Sequence, residues 1–550
     1  MPPQPPRVRV ETLPFRDTGQ FAERDVAFAE GDERLAPFRP YAPTLAAFAK
    51  TIERRRAHPV DRETLVEVLR EQYAGYGVEP PAALASLRSP DTFTVVTAHQ
   101  ASLMLGPLYY VYKILSAVRL ARDLAAHYPG IAVVPVFVLG AEDHDLEEID
   151  HLRVGGRTVR WDTDQTGATG EMTLAGIEAV VAEVTQLLGP SSSARELAGL
   201  LARCYRPDRR LGEATAHFVA ELFGAYGVVV ARLGDARLKR NFAAHIRREV
   251  LERPSRPLIE QTVAELEAAG FSQQAHARDI NFFYLQPGRR DRLVPAEGGR
   301  VAVLETPISW SPDEARAEIE RHPERFSPNV VTRPLLQEAT LPNLAYVGGG
   351  GELAYWLERR RQFEEFGLPY PVLVRRDSAW WIGGRSVRLL EQLGFDYTDL
   401  LGDEHALIRR LVTRDADVDL SAYTDRVRGV FEELSRLALE IDPSLERRAL
   451  AHGTRAAKAV EDLERRFVRA LKRRHEVSVD RLERLRAELL PGGGLQERKD
   501  SFMDLYALYG DGLFDTLLEA FDPLDMRLKV FVEDASAEVA QDEELEVEIG

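Results

Sequence analysis

Cysteine is almost absent from this chain. Only one of its 550 residues, Cys204, carries a thiol. An internal disulfide is therefore excluded, and so is a zinc or iron–sulfur site built from several thiolates. We expect no zinc, and a chain without disulfides suits a reducing compartment.

Long apolar runs are missing as well. The sequence has no stretch of 18 or more apolar residues. Its first fifteen residues also lack the apolar core of a signal peptide. We therefore expect a cytoplasmic protein that does not enter a membrane.

The chain also lacks an excess of positive charge. Lys and Arg together number 71, Asp and Glu number 88, and the net charge is −17. A surface of this sign disfavours nucleic acid as a partner, because the phosphate backbone is itself anionic. Residues 531–550 hold eight acidic residues and no Lys or Arg. We expect this tail to be solvated and poorly ordered.

The composition that remains is that of a folded globular protein. Hydrophobic residues make up 45% and charged residues 29% of the chain. A length of 550 residues corresponds to about three structural units. Apolar residues at helical spacing predict helices over Tyr41–Arg56 and Arg62–Tyr76.

A strand, a helix and a second strand come next along the chain. Thr92–Thr97 is rich in β-branched and aromatic residues, a helical stretch runs to Arg122, and Ile131–Leu139 is a second apolar run. This order predicts a βαβ unit with a right-handed crossover. The further strand candidates are Gly227–Leu233, Ile280–Leu285, Val301–Leu304 and Leu344–Val347. Helical patterns separate several of them, which predicts an α/β fold with a mostly parallel sheet and helical insertions.

Polar residues follow both strands of the βαβ unit. Ala98–Gln100 ends the first strand and Glu142–Asp145 follows the second, so both clusters should lie at the carboxyl edge of one sheet and face one pocket. His99, beside the N–H groups of a helix start, could hold an anion or shuttle a proton, and the alternative is a buried polar turn. The acidic loop could supply a general base or ligands for a divalent metal, and the alternative is a loop that leads into an acidic helix start.

A loop of four glycines, Gly348–Gly351, precedes a helix that starts near Glu352. Such a loop permits close backbone approach to a ligand, but it matches no phosphate-binding motif, and Glu352 would repel a phosphate. A helix-entry loop and a site for an amine-bearing substrate fit equally well. Upstream, Arg333 is a candidate contact for an anion, although most arginines are solvated or ion-paired.

Beyond about residue 386 the pattern becomes that of a coiled coil. Apolar residues recur at alternating steps of three and four, and this seam consists of Leu420, Tyr423, Val427, Val430, Leu434, Leu437 and Ile441. Asp442-Pro443 ends the first helix, and a second helical pattern continues to Pro491. The pattern predicts an antiparallel helical arm. We favour a homodimer formed through the seam, and the alternative is pairing within one chain.

Four segments, in the same order along the chain, resemble the bacterial cysteine-ligase family of bacillithiol biosynthesis. They are Thr97–Leu115, Val133–Leu152, Phe326–Trp356 and Leu489–Gly510. The resemblance implies a Rossmann-like core related in architecture to class I aminoacyl-tRNA synthetases, and a coiled-coil domain used in dimerisation. The implied domains are a core over residues 1–385 with connecting segments inserted at about 155–225 and 236–278, a coiled coil over 386–495, and a segment over 496–550 that returns to the core.

The same resemblance implies the reaction and its site residues. L-cysteine would be joined to the amino group of glucosaminyl-malate, which gives the low-molecular-weight thiol bacillithiol. The candidate catalytic residues are His99, Gln100, Asp143, His144 and Asp145. The candidate substrate-binding residues are Thr97, Lys113, Glu142, Arg333, Gly349, Gly350 and Glu352. This chain departs from the family pattern at Ala98, where glycine is usual, and at Gly350, where proline is common.

A free carboxylate is a poor acyl donor, so amide formation requires activation. ATP with Mg²⁺ is therefore expected, although the chain has no Walker motif and no second phosphate loop. The expected roles are polarisation of a phosphate or carbonyl by His99 and Gln100, an ammonium contact or base function for Asp143 and Asp145, and an anion contact for Arg333. Two other functions remain open. One is a metal-dependent hydrolase that uses the Asp143–Asp145 loop, and the other is a non-catalytic, nucleotide-binding coiled-coil scaffold.

Overall fold

The computed structural model describes residues 6–414 and 420–534. Most of the acidic tail, residues 535–550, lies outside the described residues. None of the described helices has both the length and the apolar character needed to cross a membrane.

The chain divides into two compact units. Over the described residues, the first contains Val10–Trp380 and Gln496–Phe531, and the second contains Arg7–Arg9, Trp381–Leu495 and residues 532–534. The candidate site described below lies entirely within the first unit.

Over the described residues, the strands fall into four sheets, whose orders are β13-β12-β2-β3-β6, β10-β9-β8-β7-β11, β1-β15-β14 and β4-β5. The strands are β1 (Val8–Leu13), β2 (Thr92–Gln100), β3 (Ala132–Gly140), β4 (His151–Val154), β5 (Arg157–Arg160), β6 (Val229–Ala231), β7 (Phe282–Gln286), β8 (Arg289–Pro295), β9 (Val301–Val303), β10 (Ser309–Trp310), β11 (Phe326–Pro328), β12 (Asn343–Gly348), β13 (Val372–Arg375), β14 (Ser378–Ile382) and β15 (Leu528–Glu533).

The same residues form α-helices of four to 32 residues. They are α1 (Phe15–Thr18), α2 (Glu23–Ala29), α3 (Phe48–Arg56), α4 (Arg62–Tyr76), α5 (Ala82–Ser86), α6 (Tyr109–His127), α7 (Ile177–Leu188), α8 (Ser192–Cys204), α9 (Leu211–Phe223), α10 (Ala236–Glu252), α11 (Ser255–Ala268), α12 (Pro312–Arg321), α13 (Arg333–Thr340), α14 (Gly350–Leu357), α15 (Arg360–Phe366), α16 (Gly384–Leu393), α17 (Glu404–Thr413), α18 (Ser421–Ile441), α19 (Pro443–Arg474), α20 (Glu476–Leu489), α21 (Met503–Tyr509) and α22 (Gly512–Ala520).

The five-stranded sheet β13-β12-β2-β3-β6 is entirely parallel, which confirms the predicted α/β class. β2 and β3 pair in register from Thr92↔Ala132 to Gln100↔Gly140. The chain builds outward from β2 to β3 and β6, and then returns to the other side of β2 with β12 and β13. The direction of the strand order therefore reverses between β2 and β12, and open α/β sheets bind ligands at the carboxyl end of such a switch point.

An apolar core holds this sheet to its helices. Side chains of β2, β12 and β13 pack with α3 and α6, and Phe48, Phe93 and Leu120 are each 0% exposed. Burying a side chain of this size stabilises the fold by about 1.5–3 kcal/mol. The carboxyl ends of the strands are thereby held by a rigid support.

The predicted helix start directly after Gln100 is wrong. β2 continues through His99 and Gln100, which pair with Leu139 and Gly140 of β3, and α6 begins only at Tyr109. A buried turn separates them, in which Met104, Leu105 and Gly106 all have positive φ. His99 therefore lies at the end of a strand, and the helix N-terminus expected to assist it is absent from that position.

Two predicted strands, β7 and β9, lie outside the parallel sheet. They belong to the antiparallel sheet β10-β9-β8-β7-β11. β7 and β8 are joined by the two residues Pro287-Gly288, and Gly288 has φ +70°. A two-residue hairpin forces neighbouring strands to be antiparallel, whereas parallel strands need a long crossover.

In the second unit, α18 and α19 pack against each other as a helical hairpin. Pro443 opens α19, and the Asp442 carboxylate accepts a hydrogen bond from the Ser444 N–H at 2.8 Å. Small residues are buried on both helices of the hairpin, namely Thr424 and Ser435 on α18 and Gly453 and Ala457 on α19. A Cβ at Gly453 would lie 2.6 Å from the Cβ of Phe431. The predicted seam faces elsewhere: Tyr423, Leu437 and Ile441 are 57%, 53% and 72% exposed.

Candidate active site

One cavity of about 1250 Å³ lies at the carboxyl edge of the parallel sheet. All five strands contribute to its wall at or just beyond their carboxyl ends, through Arg376 (β13), Gly349 (β12), His99 (β2), Gly140 (β3) and Arg232 (β6). Residues of β7 and β8 close another side. The sequence predicted a pocket at this carboxyl edge, and the strand order places the cavity at the switch point of the sheet.

His99 lies in this wall as a neutral imidazole. Burial, together with the charge of Lys113, lowers the pKa of His99 to about 3. Its Nε2 lies 3.1 Å from the Tyr109 hydroxyl and its Nδ1 lies 3.5 Å from the Ser102 hydroxyl. At neutral pH His99 can give or accept a hydrogen bond, but it carries no positive charge for a phosphate.

Asp143 is an ionised carboxylate of the acidic loop, and it borders the cavity. Burial by itself would raise the pKa of Asp143, but hydrogen bonds from His144 and Gln100 and the charge of Arg290 hold that pKa well below its ordinary value. The Gln100 side-chain amide donates to Asp143 at 2.8 Å and to Glu148 at 3.0 Å. With both of its N–H donors on carboxylates, Gln100 positions the loop and has none left for a phosphate.

Arg290 organises the same cluster from β8. Its Nη1 donates to His144 Nδ1 at 2.7 Å and lies 3.4 Å from Asp143 Oδ1. Its other donors reach the Ser327 hydroxyl and the Pro328 carbonyl, both at 3.1 Å, and its guanidinium lies 3.9 Å from the centre of the Phe283 ring. The side chain is only 6% exposed. Sequence reasoning missed Arg290, because it lies 147 positions from Asp143 on a strand with no recognisable motif.

Glu142 serves as an anchor for the loop. Lys239, whose side chain is 0% exposed, places its Nζ 2.6 Å from Glu142 Oε1 and also donates to the carbonyls of Glu324 and Phe326. Gly234 permits this approach, since a Cβ there would lie 2.6 Å from the same oxygen. The loop is thus held at both Glu142 and Asp143.

Glu352 lines the cavity, and its carboxylate is already engaged. It lies 2.7 Å from Lys113 Nζ, accepts from the Tyr346 hydroxyl at 2.6 Å and accepts from the Gly349 N–H at 2.9 Å. Burial would raise the pKa of Glu352, but the Lys113 charge and these hydrogen bonds lower it to about 2. Because Glu352 occupies the Gly349 N–H, the glycine loop does not form a phosphate cradle there.

Arg333 is the predicted anion contact, and its surroundings leave its charge available. The guanidinium contacts only neutral partners: the Tyr355 hydroxyl at 2.7 Å, Gln337 Oε1 at 3.2 Å and the Tyr346 hydroxyl at 3.4 Å. Over residues 6–414 and 420–534, no carboxylate lies within ion-pair distance of it. The side chain borders the cavity, where it can receive an anionic substrate group.

Arg376 connects the site to the C-terminal part of the first unit. Its Nη1 and Nη2 donate to the two carboxylate oxygens of Glu497 at 2.9 and 2.8 Å, and Glu497 is 0% exposed. Burial and the Glu497 charge act on the same guanidinium in opposite senses, and the pKa of Arg376 is raised. This bidentate pair fixes one wall of the cavity.

Four predicted residues do not border the main cavity. Thr97 is buried and donates to the Val347 carbonyl at 2.8 Å, which joins β2 to β12. Lys113 is buried behind His99 and donates to the Ala98 carbonyl. Asp145 is exposed to solvent. Gly350 borders a second, smaller cavity.

The acidic loop does not assemble a metal-ligand set. Within the described part of the chain, no group of three His, Cys, Asp or Glu side chains is arranged to hold an ion. His144 Nδ1 accepts from the Arg290 guanidinium, whose Nη1 also lies 3.4 Å from Asp143 Oδ1. This nitrogen of His144 is therefore not free to bind a metal beside Asp143.

Comparison with known proteins gives matches over nearly the whole chain. The model for the N-terminal Rossmann-like domain of the bacillithiol biosynthesis protein BshC matches residues 8–377, and the model for its C-terminal coiled-coil domain matches residues 380–533. A protein of Christiangramia forsetii is 35% identical over 528 residues, which are 94% of this chain and 98% of the relative. A protein of Cytophaga hutchinsonii is 34% identical over 526 residues, 95% and 98% of the two chains. Both relatives carry the name "Putative cysteine ligase BshC".

Proposed function

Because the chain belongs to the BshC family of bacillithiol biosynthesis, we propose that it is a ligase that adds L-cysteine to the amino group of glucosaminyl-malate. The observation that carries the proposal is the large cavity at the switch point, where an ionised carboxylate, a neutral imidazole and an arginine without an acidic partner border one space. An amide-forming enzyme must hold an amine, an acyl group and an anionic substrate in one place.

Asp143 binds the substrate ammonium in this proposal. Its pKa lies well below the ordinary range, which makes it a poor proton acceptor near neutral pH but a permanent negative charge. The His99 imidazole lies in the same wall and offers a neutral hydrogen bond to a carbonyl oxygen. Asp145 does not border the cavity, and the proposal assigns it no role.

Arg333 binds the malate carboxylates. Its guanidinium presents a fork of donors that suits a carboxylate, and tyrosine hydroxyls hold it in place without neutralising it. A hydrogen bond between two charged groups contributes about 1.5–3 kcal/mol. Loss of Arg333 should therefore raise the KM for glucosaminyl-malate by roughly ten-fold or more.

ATP is proposed as the source of carboxyl activation, because a free carboxylate does not acylate an amine unaided. The cavity volume accommodates a nucleotide beside a second substrate. The glycine loop does not fit a phosphate at Gly349, so phosphates would be bound by arginine side chains. Mg²⁺ needs few protein ligands when it travels with a nucleotide.

The helical arm is proposed to form a homodimer. The seam on α18 leaves Val430, Leu434 and Leu437 54%, 45% and 53% exposed, although they recur at coiled-coil spacing. A continuous apolar row on a solvent face is costly unless it is covered. A second copy offers the same row, as two-fold symmetry requires.

Reconstitution tests the function directly. Purified protein is incubated with cysteine and glucosaminyl-malate, with and without ATP and magnesium, and mass spectrometry follows the amide product and AMP or ADP. We expect the amide only in the complete mixture. The absence of amide from the complete mixture would contradict the proposal, and ATP-dependent binding without turnover would favour the scaffold instead.

Two variants test the site in the same assay. His99→Ala and Asp143→Asn should abolish amide formation while circular dichroism shows an intact fold. Wild-type product levels in either variant would remove that residue from the reaction. Metal analysis of protein purified without chelators tests the hydrolase alternative, which stoichiometric zinc or manganese would favour.

A further inference from the structure

A second cavity of about 410 Å³ lies beside the main one in the first unit. The two share Gln274, Gly351, Arg376 and Arg498 in their walls. Gly349 faces the main cavity and Gly350 faces the second one, so the glycine loop runs between them. Gly350 also lies close to Asp25, since a Cβ there would be 2.4 Å from the Asp25 carboxylate.

The second cavity contains an arginine with unused donors. Arg24, in the first turn of α2, has its Nε and Nη1 buried without a hydrogen-bond partner. Over the described residues, no carboxylate lies within ion-pair distance of it. Burial lowers the pKa of Arg24, and the charge of the buried Glu358, which lies beyond ion-pair distance, opposes that effect; a guanidinium stays protonated in proteins. Buried donors that carry a full charge and no acceptor are costly, so a ligand is the expected acceptor.

The acidic residues in the same wall do not neutralise Arg24. Both oxygens of Asp25 are taken by Arg375, at 2.7 and 3.1 Å. The nearest cationic group to Glu23 is Arg34, at 3.8 Å, and the Glu23 side chain is 76% exposed. Arg376 adds a further buried donor, its Nε, which also lacks a partner.

We propose that this second cavity is an oxyanion subsite, in which Arg24 and the Nε of Arg376 bind a phosphate or carboxylate group of a substrate whose reactive part lies in the main cavity. The inference rests on the proposed function for the identity of that substrate, but the anion binding does not. Guanidinium donors suit both oxyanions, and the four residues that line both cavities place the two spaces side by side.

Calorimetric titration of the full-length protein tests the subsite. The probes are sodium pyrophosphate and L-malate, with sodium chloride as the ionic-strength control. We expect wild-type protein to bind one of the two probes stoichiometrically. Arg24→Met should bind that probe roughly ten- to hundred-fold more weakly, because one charged hydrogen-bonding group is lost. Arg24→Lys should bind the probe with intermediate affinity, since lysine keeps the positive charge but lacks the planar set of guanidinium donors.

The matched control is Arg34→Met, which removes the same charge from a nearby exposed arginine that pairs with Asp32 at 2.7 Å. It should bind the probe with wild-type affinity. Thermal unfolding adds a readout that a structural role would not give. In buffer without the probe, Arg24→Met should unfold at the wild-type temperature or above, since a buried unpaired charge is removed. At a probe concentration that saturates wild-type protein, wild-type protein and Arg34→Met should gain more stability than Arg24→Met.

The outcomes distinguish a nucleotide from the amine substrate as the source of the anion. They also test the subsite and the ligase function separately. Pyrophosphate binding that ATP displaces assigns the subsite to the nucleotide, and malate binding assigns it to the amine substrate. Equal affinity in wild-type protein and Arg24→Met, or no binding of either probe, overturns the subsite while amide formation can still stand. Arg24-dependent binding without amide formation refutes the ligase and leaves the subsite.

Discussion

Glu352 and Lys113 form one of the buried ion pairs of the site, and separating them tests whether they support the site or contact the substrate. The Lys113 side chain is 1% exposed and that of Glu352 is 25% exposed, with 2.7 Å between Nζ and Oε2. Glu352→Gln leaves a nearly isosteric amide beside a buried ammonium group. Lys113→Met leaves the carboxylate with only the Tyr346 hydroxyl and the Gly349 N–H.

The expected cost follows from the burial of the two charges. Removing one partner of a buried pair typically costs 3–5 kcal/mol, because the remaining charge stays desolvated. Glu352 is partly open to the cavity, so we expect about 2–4 kcal/mol for Glu352→Gln and somewhat less for Lys113→Met. The double variant has no unpaired charge. Its cost should fall below the sum of the two single costs by about 2 kcal/mol.

Urea unfolding of the four proteins, followed by tryptophan fluorescence and circular dichroism, measures this coupling. The control cycle uses Arg88 and Glu63, an exposed pair with 2.8 Å between Nε and Oε2. Its coupling should be about 0.2–1 kcal/mol. Additive costs at Glu352 and Lys113, within about 0.5 kcal/mol, would refute the argument that a desolvated charge pair supports the glycine loop. A stable double variant that lacks activity would show that one of the two residues contacts substrate.

Three further predictions follow from the same structure. Arg290→Gln removes the donor shared by Asp143 and His144, so kcat for amide formation should fall at least roughly ten-fold, and an unchanged kcat would contradict its positioning role. Burial raises the pKa of Asp504 to about 6, from a value near 3.9 in the unfolded chain. The contribution of Asp504 to the free energy of unfolding is therefore complete below about pH 4 and is lost as the pH rises through about 6. Asp504→Asn should flatten the fall in unfolding free energy over that range, about 1–2 kcal/mol in urea titrations, and a slope equal to that of wild-type protein would disprove the assignment. Leu434→Asp combined with Leu437→Asp should give a monomer by light scattering at micromolar concentration, whereas dimers that persist in this variant would place the interface elsewhere.

Local patterns in the sequence were sufficient for the elements that depend on neighbouring residues. The helix predicted over Arg62–Tyr76 has those bounds in the structure, and the βαβ unit around β2 and β3 was recognisable from apolar runs and turn residues. The placement of His99 and the acidic loop on one sheet edge followed from the same topology. The start of α6 was mispredicted because the turn before it, with positive φ at the non-glycine residues Met104 and Leu105, is not recognisable from the sequence.

The contacts that give the site its chemistry depend on residues far apart in the chain. Arg290 reaches Asp143 across 147 positions, Lys239 reaches Glu142 across 97, and Arg376 reaches Glu497 across 121. No periodicity or motif records such pairings, since each partner is an ordinary charged residue in its own segment. The same holds for Arg24, whose lack of a partner is visible only when every neighbour is in place.

The amino-acid sequence alone determined the α/β class and the edge of the sheet at which the chemistry lies, because periodicity and turn chemistry act over a few residues. The family followed from the resemblance of four segments to known sequences. Only the tertiary structure decided which carboxylates already have a cationic partner. It also decided that His99 is uncharged and that Arg333 and Arg24 have no carboxylate within ion-pair distance among the described residues. These properties arise from burial and from charges brought within a few ångströms by folding. Electrostatic free energy depends on distance and desolvation in space, not on separation along the chain.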